Sequence, residues 1–151
     1  MKVRLALMAL IALLLTSTSL AVAQKPIMIF YPAITDAKGI ARMEYFRGQR
    51  VCVWITVYAA PVKYVPPLRK KPFKILVVVK ANGVAYLTGV VSGTITTGEI
   101  KTYSFNFTIP KEVPTGFHVV KLMAWNGFIS TMLTKWAAMA SPIEASFFVK
   151  G

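Results

Sequence analysis

The chain has 151 residues, with 18 Lys and Arg, five Asp and Glu and one His, and its formal net charge is +13. Acid–base, nucleophilic and zinc chemistry draw mainly on His, Cys, Asp and Glu, and these types total only seven residues here. A hydrophobic content of 56% excludes a disordered chain. The composition therefore predicts a folded, basic protein that is not an enzyme and needs no metal or cofactor.

The first 23 residues have the pattern of a secretory signal peptide. Met1–Arg4 carries two positive charges, residues 5–15 are an unbroken apolar run, and Ala21–Ala23 supplies an A-x-A cleavage site. The alternative is an uncleaved membrane anchor, because residues 5–23 are an uncharged stretch just long enough to cross a bilayer. Both interpretations predict a secreted or cell-surface protein. Cleavage leaves residues 24–151 as one domain with a net charge of +11.

Residues 26–149 show the period-2 apolar pattern of strands separated by turns. Turns are expected at residues 36–39 and 47–49, and Asn82–Gly83 is typical of a hairpin. Strands are predicted over residues 27–31, 43–46, 50–59, 73–80, 84–91, 101–109, 117–126 and 143–149. Seven or eight strands without βαβ alternation predict an all-β fold, an antiparallel β-sandwich.

Several connections carry further expectations. Residues 61–72 contain four prolines and are predicted to form the longest irregular connection, and residues 92–98 a Gly/Thr loop. Gly89 indicates a bulge or a close approach of another segment. Residues 130–140 fit a short helix, since Met132, Trp136 and Met139 fall on one helical face.

Three segments resemble an immunoglobulin-like or fibronectin-type-III-like domain, with the closest likeness to the cell-adhesion-related domains of bacterial and archaeal surface proteins. They are GQRVCVWITV (48–57), VPTGFHVVKLMAWN (113–126) and IEASFFV (143–149). The resemblance covers roughly residues 40–150. It implies an immunoglobulin-like β-sandwich of about seven or eight strands, and extracellular adhesion or assembly, without any catalytic residue.

His118 stands where these domains usually have a Tyr that hydrogen-bonds the backbone at a strand corner. We expect the imidazole to make the same kind of bond, because a lone His is a poor candidate for metal binding. Cys52 is expected to be a small buried hydrophobe, and a thiol that pairs between chains is the alternative. The low Asn and Gln content, with abundant Val, Ile and Lys, points to a thermophile.

The positive charge is concentrated in one acid-free stretch, residues 45–98. We expect the cluster around the proline-rich connection to bind anionic surface glycans or lipid headgroups, and nucleic acid is not expected. A solvated face that keeps the protein soluble is the alternative. The predicted anion-binding residues are Lys63, Arg69, Lys70, Lys71 and Lys74.

Two further motifs point to carbohydrate. Asn106–Phe107–Thr108 is an N-glycosylation sequon on the polar face of its strand. Tyr64, Trp125 and Trp136 are candidates for stacking on a bound glycan, with core packing as the alternative.

The segment Ile27, Met28, Ile29, Phe30 and Tyr31 follows the cleavage site directly. Such a strand either pairs within its own domain or adds to the sheet edge of a neighbour, which in pili produces filaments. The predicted function is that of a secreted surface protein that binds or assembles with protein neighbours. Homo-oligomers formed by strand addition are one form of this assembly. The alternative is a small extracellular carbohydrate-binding module.

Overall fold

The computed structural model describes residues 25–61 and 70–151. The predicted signal peptide, residues 1–23, therefore lies outside the described residues. The described chain contains nine strands, a single-turn helix α1 and a 3₁₀ turn over Leu133–Lys135. The elements are β1 (Met28–Ile29), β2 (Ala33–Asp36), β3 (Glu44–Phe46), β4 (Arg50–Tyr58), β5 (Lys71–Ala81), β6 (Val84–Ile95), β7 (Ile100–Thr108), β8 (Gly116–Trp125), α1 (Ile129–Met132) and β9 (Ile143–Lys150).

The first sheet is built around β4, which pairs along one side with β7 and along the other with β1 and β2. All three pairings are antiparallel. The β4–β7 ladder runs without a break from Arg50, opposite Thr108, to Tyr58, opposite Ile100. On β4, alternate residues 51, 53, 55 and 57 are completely buried, as their spacing predicts.

The second sheet has the strand order β3-β9-β8-β5-β6. Its pairings are antiparallel except for β3, which runs parallel to β9 from Glu44, opposite Phe148, to Phe46, opposite Lys150. The β5–β6 hairpin turns at Asn82 and Gly83, both of which have the positive φ angles that this turn requires. A register shift between Val79 and Lys80 marks a bulge in that hairpin.

The inner faces of the two sheets form one apolar core, with Phe73, Leu122 and Phe147 among its fully buried side chains. In chain order, the first sheet corresponds to the A, B and E strands of an immunoglobulin domain, and the second to its G, F, C and C′ strands. The predicted immunoglobulin-like β-sandwich is therefore confirmed, with nine described strands and one parallel pair.

Some predicted boundaries were wrong. Strand β2 was not among the predicted strands, because only three residues separate Pro32 from the turn at Asp36. Strand β5 begins at Lys71 instead of residue 73, and Pro72 is tolerated because β8 pairs with β5 only from Lys74 onward. Strand β6 continues to Ile95, so residues 92–95 are not a loop.

The predicted helix over residues 130–140 was also wrong. The α-helix ends at Met132, Leu133 has a positive φ of 47°, and Trp136 is extended. The Trp136 indole stacks on Trp125, with ring centroids 3.8 Å apart. Pairing with β8 therefore overrides the helical spacing, and Ala138 forms a bridge to Trp125.

Gly89 marks the close approach that its position in β6 suggested. A Cβ built there would collide with the ring of Phe105 on β7. Gly93 has the same role further along β6, since its Cβ would lie 2.5 Å from the hydroxyl oxygen of Tyr103 on β7. These two glycines allow β6 to lie across the edge of β7 and close that side of the core.

Candidate functional site

The predicted donor segment lies within its own domain. Met28 and Ile29 pair with Tyr58 and Val57 of β4. The backbone N–H of Ile27 donates to Met139 O at 3.0 Å, and its side chain is buried in the core. Home pairing, one of the two arrangements expected from the sequence, is therefore the arrangement seen. Addition to a neighbour would require this segment to leave β4.

Met28, Phe30 and Tyr31 of this segment are exposed, whereas Ile29 packs against the core. Met28 and Phe30 belong to a larger apolar surface. Met28, Tyr58 and Ile100 form one row across β1, β4 and β7. Phe30 lies in the next row and stacks on Tyr58 with ring centroids 6.4 Å apart. Trp54 lies further along β4, and its indole N–H donates to Thr35 Oγ1 at 3.0 Å.

We call the outer face formed by Met28, Phe30, Trp54, Tyr58 and Ile100 the first-sheet surface. Ile100 is 64% exposed, Met28 52%, Phe30 43% and Trp54 41%. Large apolar side chains that adjoin one another at such exposure are typical of interaction surfaces. The outward residues of β7 next to them are polar, and the hydroxyls of Thr56 and Thr102 hydrogen-bond each other at 3.0 Å.

Alternation along β4 places Trp54 and Tyr58 on one face and residues 51, 53, 55 and 57 on the other. Trp54 and Ile100 were not among the predicted functional residues, because the sequence does not show whether another element covers that face. The described structure places Trp54 and Ile100 at the surface.

The predicted glycan-stacking residues are only partly brought together. Trp125 and Trp136 stack face to face with an interplanar angle of 11°, so each indole covers one face of the other. Both are half-buried, and Trp136 Nε1 donates to Gly127 O at 2.9 Å. Nearby, Lys74 Nζ lies 5.3 Å from the centroid of the exposed Phe128 ring. Tyr64 lies outside the described residues.

The predicted anion-binding cluster is described only in part, because Lys63 and Arg69 fall in the undescribed segment. Lys70 and Lys71 are exposed where β5 begins. Lys74 is half-buried and donates to Ser92 Oγ at 2.8 Å in addition to its contact with Phe128. Lys74 therefore differs from the other two described lysines in having fixed partners.

Asn106 of the predicted sequon is exposed on β7, as its position on the polar face suggested. It lies opposite Cys52 on β4, within the paired part of the first sheet. The Asn106 side chain is thus accessible on the same outer face as the first-sheet surface, two residues from Ser104, which pairs with Trp54.

Cys52 is buried, with 6% of its surface exposed. Burial raises the pKa of its thiol, an effect that the hydrogen bond with Thr35 partly opposes. A protonated, covered thiol is a weak nucleophile. The expectation of a buried, hydrophobe-like cysteine is confirmed for its packing.

His118 forms the backbone bond expected at the strand corner. Its Nε2 lies 2.9 Å from Pro114 O, and its Nδ1 lies 2.8 Å from the Tyr86 hydroxyl. A carbonyl only accepts, so Nε2 carries the hydrogen, and in the neutral ring Nδ1 accepts from Tyr86. Burial raises the pKa of Tyr86 to about 12, which keeps this hydroxyl a donor.

Within residues 25–61 and 70–151, no three His, Cys, Asp or Glu side chains are close enough to hold a metal ion. In the same ranges no helix is long and apolar enough to span a membrane.

Comparison with known proteins identifies the fold and no family. No family model matches the chain, and no curated protein matches it. The resemblance to cell-adhesion-related domains therefore stays a prediction.

Solved structures are similar at low identity. The C-terminal domain of Wzt matches with a TM-score of 0.57 and 13% identity, over 85% of this chain and 75% of that chain. A β-glucosidase from Erythrobacter marinus matches with a TM-score of 0.53 and 12% identity, over 83% of this chain and 16% of that chain. The alkylpurine DNA glycosylase AlkC of Pseudomonas fluorescens, bound to DNA with an abasic site analog, matches with a TM-score of 0.52 and 16% identity. This match covers 84% of this chain and 31% of that chain. The chain thus spans less than a third of the glycosylase and of the glucosidase, and these similarities show the β-sandwich fold alone.

Proposed function

We propose that this protein is an exported, non-enzymatic cell-surface protein that assembles with protein neighbours, copies of itself foremost, through the first-sheet surface. The signal-peptide pattern of residues 1–23 supports export. The observation that carries the proposal is the row Met28–Tyr58–Ile100, which places three apolar side chains side by side on the outside of a sheet. Covering them with a second copy removes apolar surface from water at about 25 cal/mol per Å².

The position of β1 within this surface defines how the segment takes part. Ile27 anchors the segment in the core, while Met28, Phe30 and Tyr31 remain exposed. Copies therefore associate by packing these outward side chains against each other while β1 stays on its own β4. Exchange of β1 between copies is the second route to assembly, since a two-residue strand is the shortest pairing in the sheet.

A disulfide lock distinguishes the two routes. Ile29 and Val57 face each other in the β1–β4 pair, and opposed residues of antiparallel strands lie about 4.5–5.5 Å apart, within disulfide range. The double variant Ile29→Cys with Val57→Cys is made in a Cys52→Ala background. When oxidised, its disulfide would keep β1 paired with β4 of the same copy. Sedimentation velocity of the oxidised protein should still show concentration-dependent association. Loss of association on oxidation, with recovery on reduction, would identify strand exchange.

The matched control is the Cys52→Ala protein carried through the same oxidation, which should associate like the wild type. Deleting residues 24–34 is expected to abolish association by either route. That deletion also removes Ile27 from the core, so its folding must be checked by circular dichroism.

Glycan binding is the second candidate function, and the aromatic group at the Trp125 end of β8 favours it. Phe128 is 46% exposed beside the stacked tryptophans, and Lys74 lies over its ring. Aromatic rings beside a cation suit an acidic sugar polymer. Affinity electrophoresis through acidic and neutral polysaccharides tests this. Retardation lost in Trp125→Ala and Trp136→Ala supports glycan binding, and equal mobility in all gels contradicts it.

A further inference from the structure

A basic cleft lies at the end of the sandwich where β2 turns back toward β3. The cleft has a volume of about 240 Å³ and is lined by Lys38, Arg42 and Arg50 together with Asp36 and Gln49. Its lining includes neither the described lysines of the predicted anion-binding cluster nor any residue of the first-sheet surface. Three cations and one carboxylate give this cleft a positive field.

Asp36 is fully used in holding the turn. Its Oδ1 accepts the backbone N–H groups of Lys38 at 2.9 Å and Ile40 at 3.0 Å. Its Oδ2 accepts Arg42 Nε at 2.7 Å. These bonds, led by that from Ile40, hold the pKa of Asp36 below its ordinary value, so the carboxylate remains charged and keeps Arg42 in place.

The contact through Nε fixes the orientation of Arg42 without consuming its binding capacity. A guanidinium has five N–H donors, and among the described residues Arg42 contacts a carboxylate only through Nε. The side chain is 54% exposed. Its terminal N–H groups are therefore free to form the paired bonds that guanidinium makes to phosphate-type anions.

The other two cations have no competing carboxylate. The chain has five acidic side chains, and the ion pairs of the described residues occupy four of them, with Arg42, Lys101, Lys121 and Lys150 as partners. Neither Lys38 nor Arg50 belongs to any of these pairs. Both remain available to an external anion.

We propose that Lys38, Arg42 and Arg50 form a binding site for a tetrahedral oxyanion, a phosphate or sulfate group, with Asp36 as the positioning residue that orients Arg42. The site is independent of the first-sheet surface, so its failure would leave the assembly proposal standing. The oxyanion has three possible sources: a free ion in solution, a sulfated polymer or an anionic lipid headgroup.

The test separates an oriented site from general attraction to a basic protein. Binding of inorganic phosphate and sulfate to the purified protein is measured by calorimetry at constant ionic strength. Asp36→Asn adds a net positive charge but removes the acceptor for Arg42 Nε, so the proposed site predicts weaker binding, by about fivefold. A site that depends on net charge alone predicts stronger binding, and that result would overturn the proposal.

Arg42→Lys provides the second variant should Asp36→Asn fold poorly. It keeps the charge and loses the planar fork, and we expect affinity to fall about tenfold. Lys135→Gln is the control, because Lys135 lies near the β1 end of the sandwich, where Ile27 bonds to Met139. Its affinity should stay within about twofold of the wild type, since it removes only a distant exposed charge. Equal affinities for the wild type, Arg42→Lys and Lys135→Gln, or no binding to any of them, would overturn the proposal.

The source of the oxyanion is then identified by measuring the binding of two further probes to the wild type and the same variants. Vesicles of phosphatidylcholine with and without phosphatidylglycerol report a lipid headgroup, and dextran sulfate reports a sulfated polymer. An Arg42-dependent response to one of them, beyond that to the free ions, identifies the carrier. Arg42-dependent binding of the free ions alone would identify a free-anion site.

Discussion

His118 Nε2 lies 2.9 Å from the carbonyl oxygen of Pro114, and this bond ties the start of β8 to the turn before it. The same imidazole accepts from Tyr86 on β6, which is separated from β8 by β5 in the second sheet. A completely buried ring thus satisfies two polar groups from different parts of the domain. We conclude that His118 is a structural residue of the sandwich.

Replacing His118 should therefore destabilise the fold strongly. His118→Leu leaves Pro114 O and the Tyr86 hydroxyl without their partner, which should cost about 2–4 kcal/mol in the free energy of unfolding. Tyr86→Phe removes one bond and should cost about 1 kcal/mol. Urea denaturation measures both values, and the exposed Tyr31→Phe is the control. A loss under about 0.5 kcal/mol in His118→Leu, the range of surface substitutions, would contradict this role.

The buried Tyr45 and the partly buried Tyr86 predict a loss of stability in alkali. Burial raises the pKa values of Tyr45 and Tyr86 to about 12 from a reference of 10.0. Because the folded pKa lies above the unfolded one, the stabilisation is complete below pH 10 and is lost as the pH rises through about 12. Tyrosinate absorbance and circular dichroism, followed together, should show late ionisation of these rings with unfolding. Complete ionisation near pH 10 in a folded protein would disagree with their burial.

The contact between Gly89 and Phe105 predicts a size limit at the β6–β7 crossing. A Cβ at residue 89 has no space beside the Phe105 ring. We expect Gly89→Ala to cost about 1–3 kcal/mol in stability, as overpacked cores do. Adding Phe105→Leu should recover part of this loss, because it removes the atoms that collide. Equal stability of the wild type and Gly89→Ala in thermal unfolding would show that the crossing relaxes freely.

Cys52 should react slowly while the protein is folded. Its thiol is covered, and its pKa is raised by burial, so the reactive thiolate is scarce. Labelling with iodoacetamide at pH 8 should be slow in buffer and fast in urea. Rapid labelling of the folded protein, or a disulfide-linked dimer on non-reducing gels, would support the alternative of pairing between chains.

The sequence predicted the fold wherever alternation reflects burial on one face. Asn106 was predicted on the polar face of its strand, and the structure leaves it exposed while the adjacent Phe107 is buried. Alternation does not report contacts between distant segments. Local spacing favoured a helix around Trp136, whereas in the structure Trp136 stacks on the distant Trp125. Likewise, Asp36 orients Arg42 only because a turn brings residues 36 and 42 together.

The sequence also could not show which residues on the outer faces of the sheets are exposed. Both faces of residues 51–58 are largely apolar, and such a pattern fits a covered strand and an interaction surface equally well. Only the described fold distinguishes Cys52, which is covered, from Trp54, two residues further along the same face and 41% exposed.

The most direct test of self-assembly compares two double variants that each remove exposed apolar side chains. Met28→Ser with Ile100→Ser alters the first-sheet surface, and Val84→Ser with Phe117→Ser alters the second sheet, where these residues are 70% and 69% exposed. The dissociation constant of self-association is measured for each by sedimentation equilibrium. We predict that the first variant weakens association at least about tenfold while the second stays near the wild type. A wild-type protein that remains monomeric at high concentration, or equal constants for both variants, would contradict assembly through the first-sheet surface.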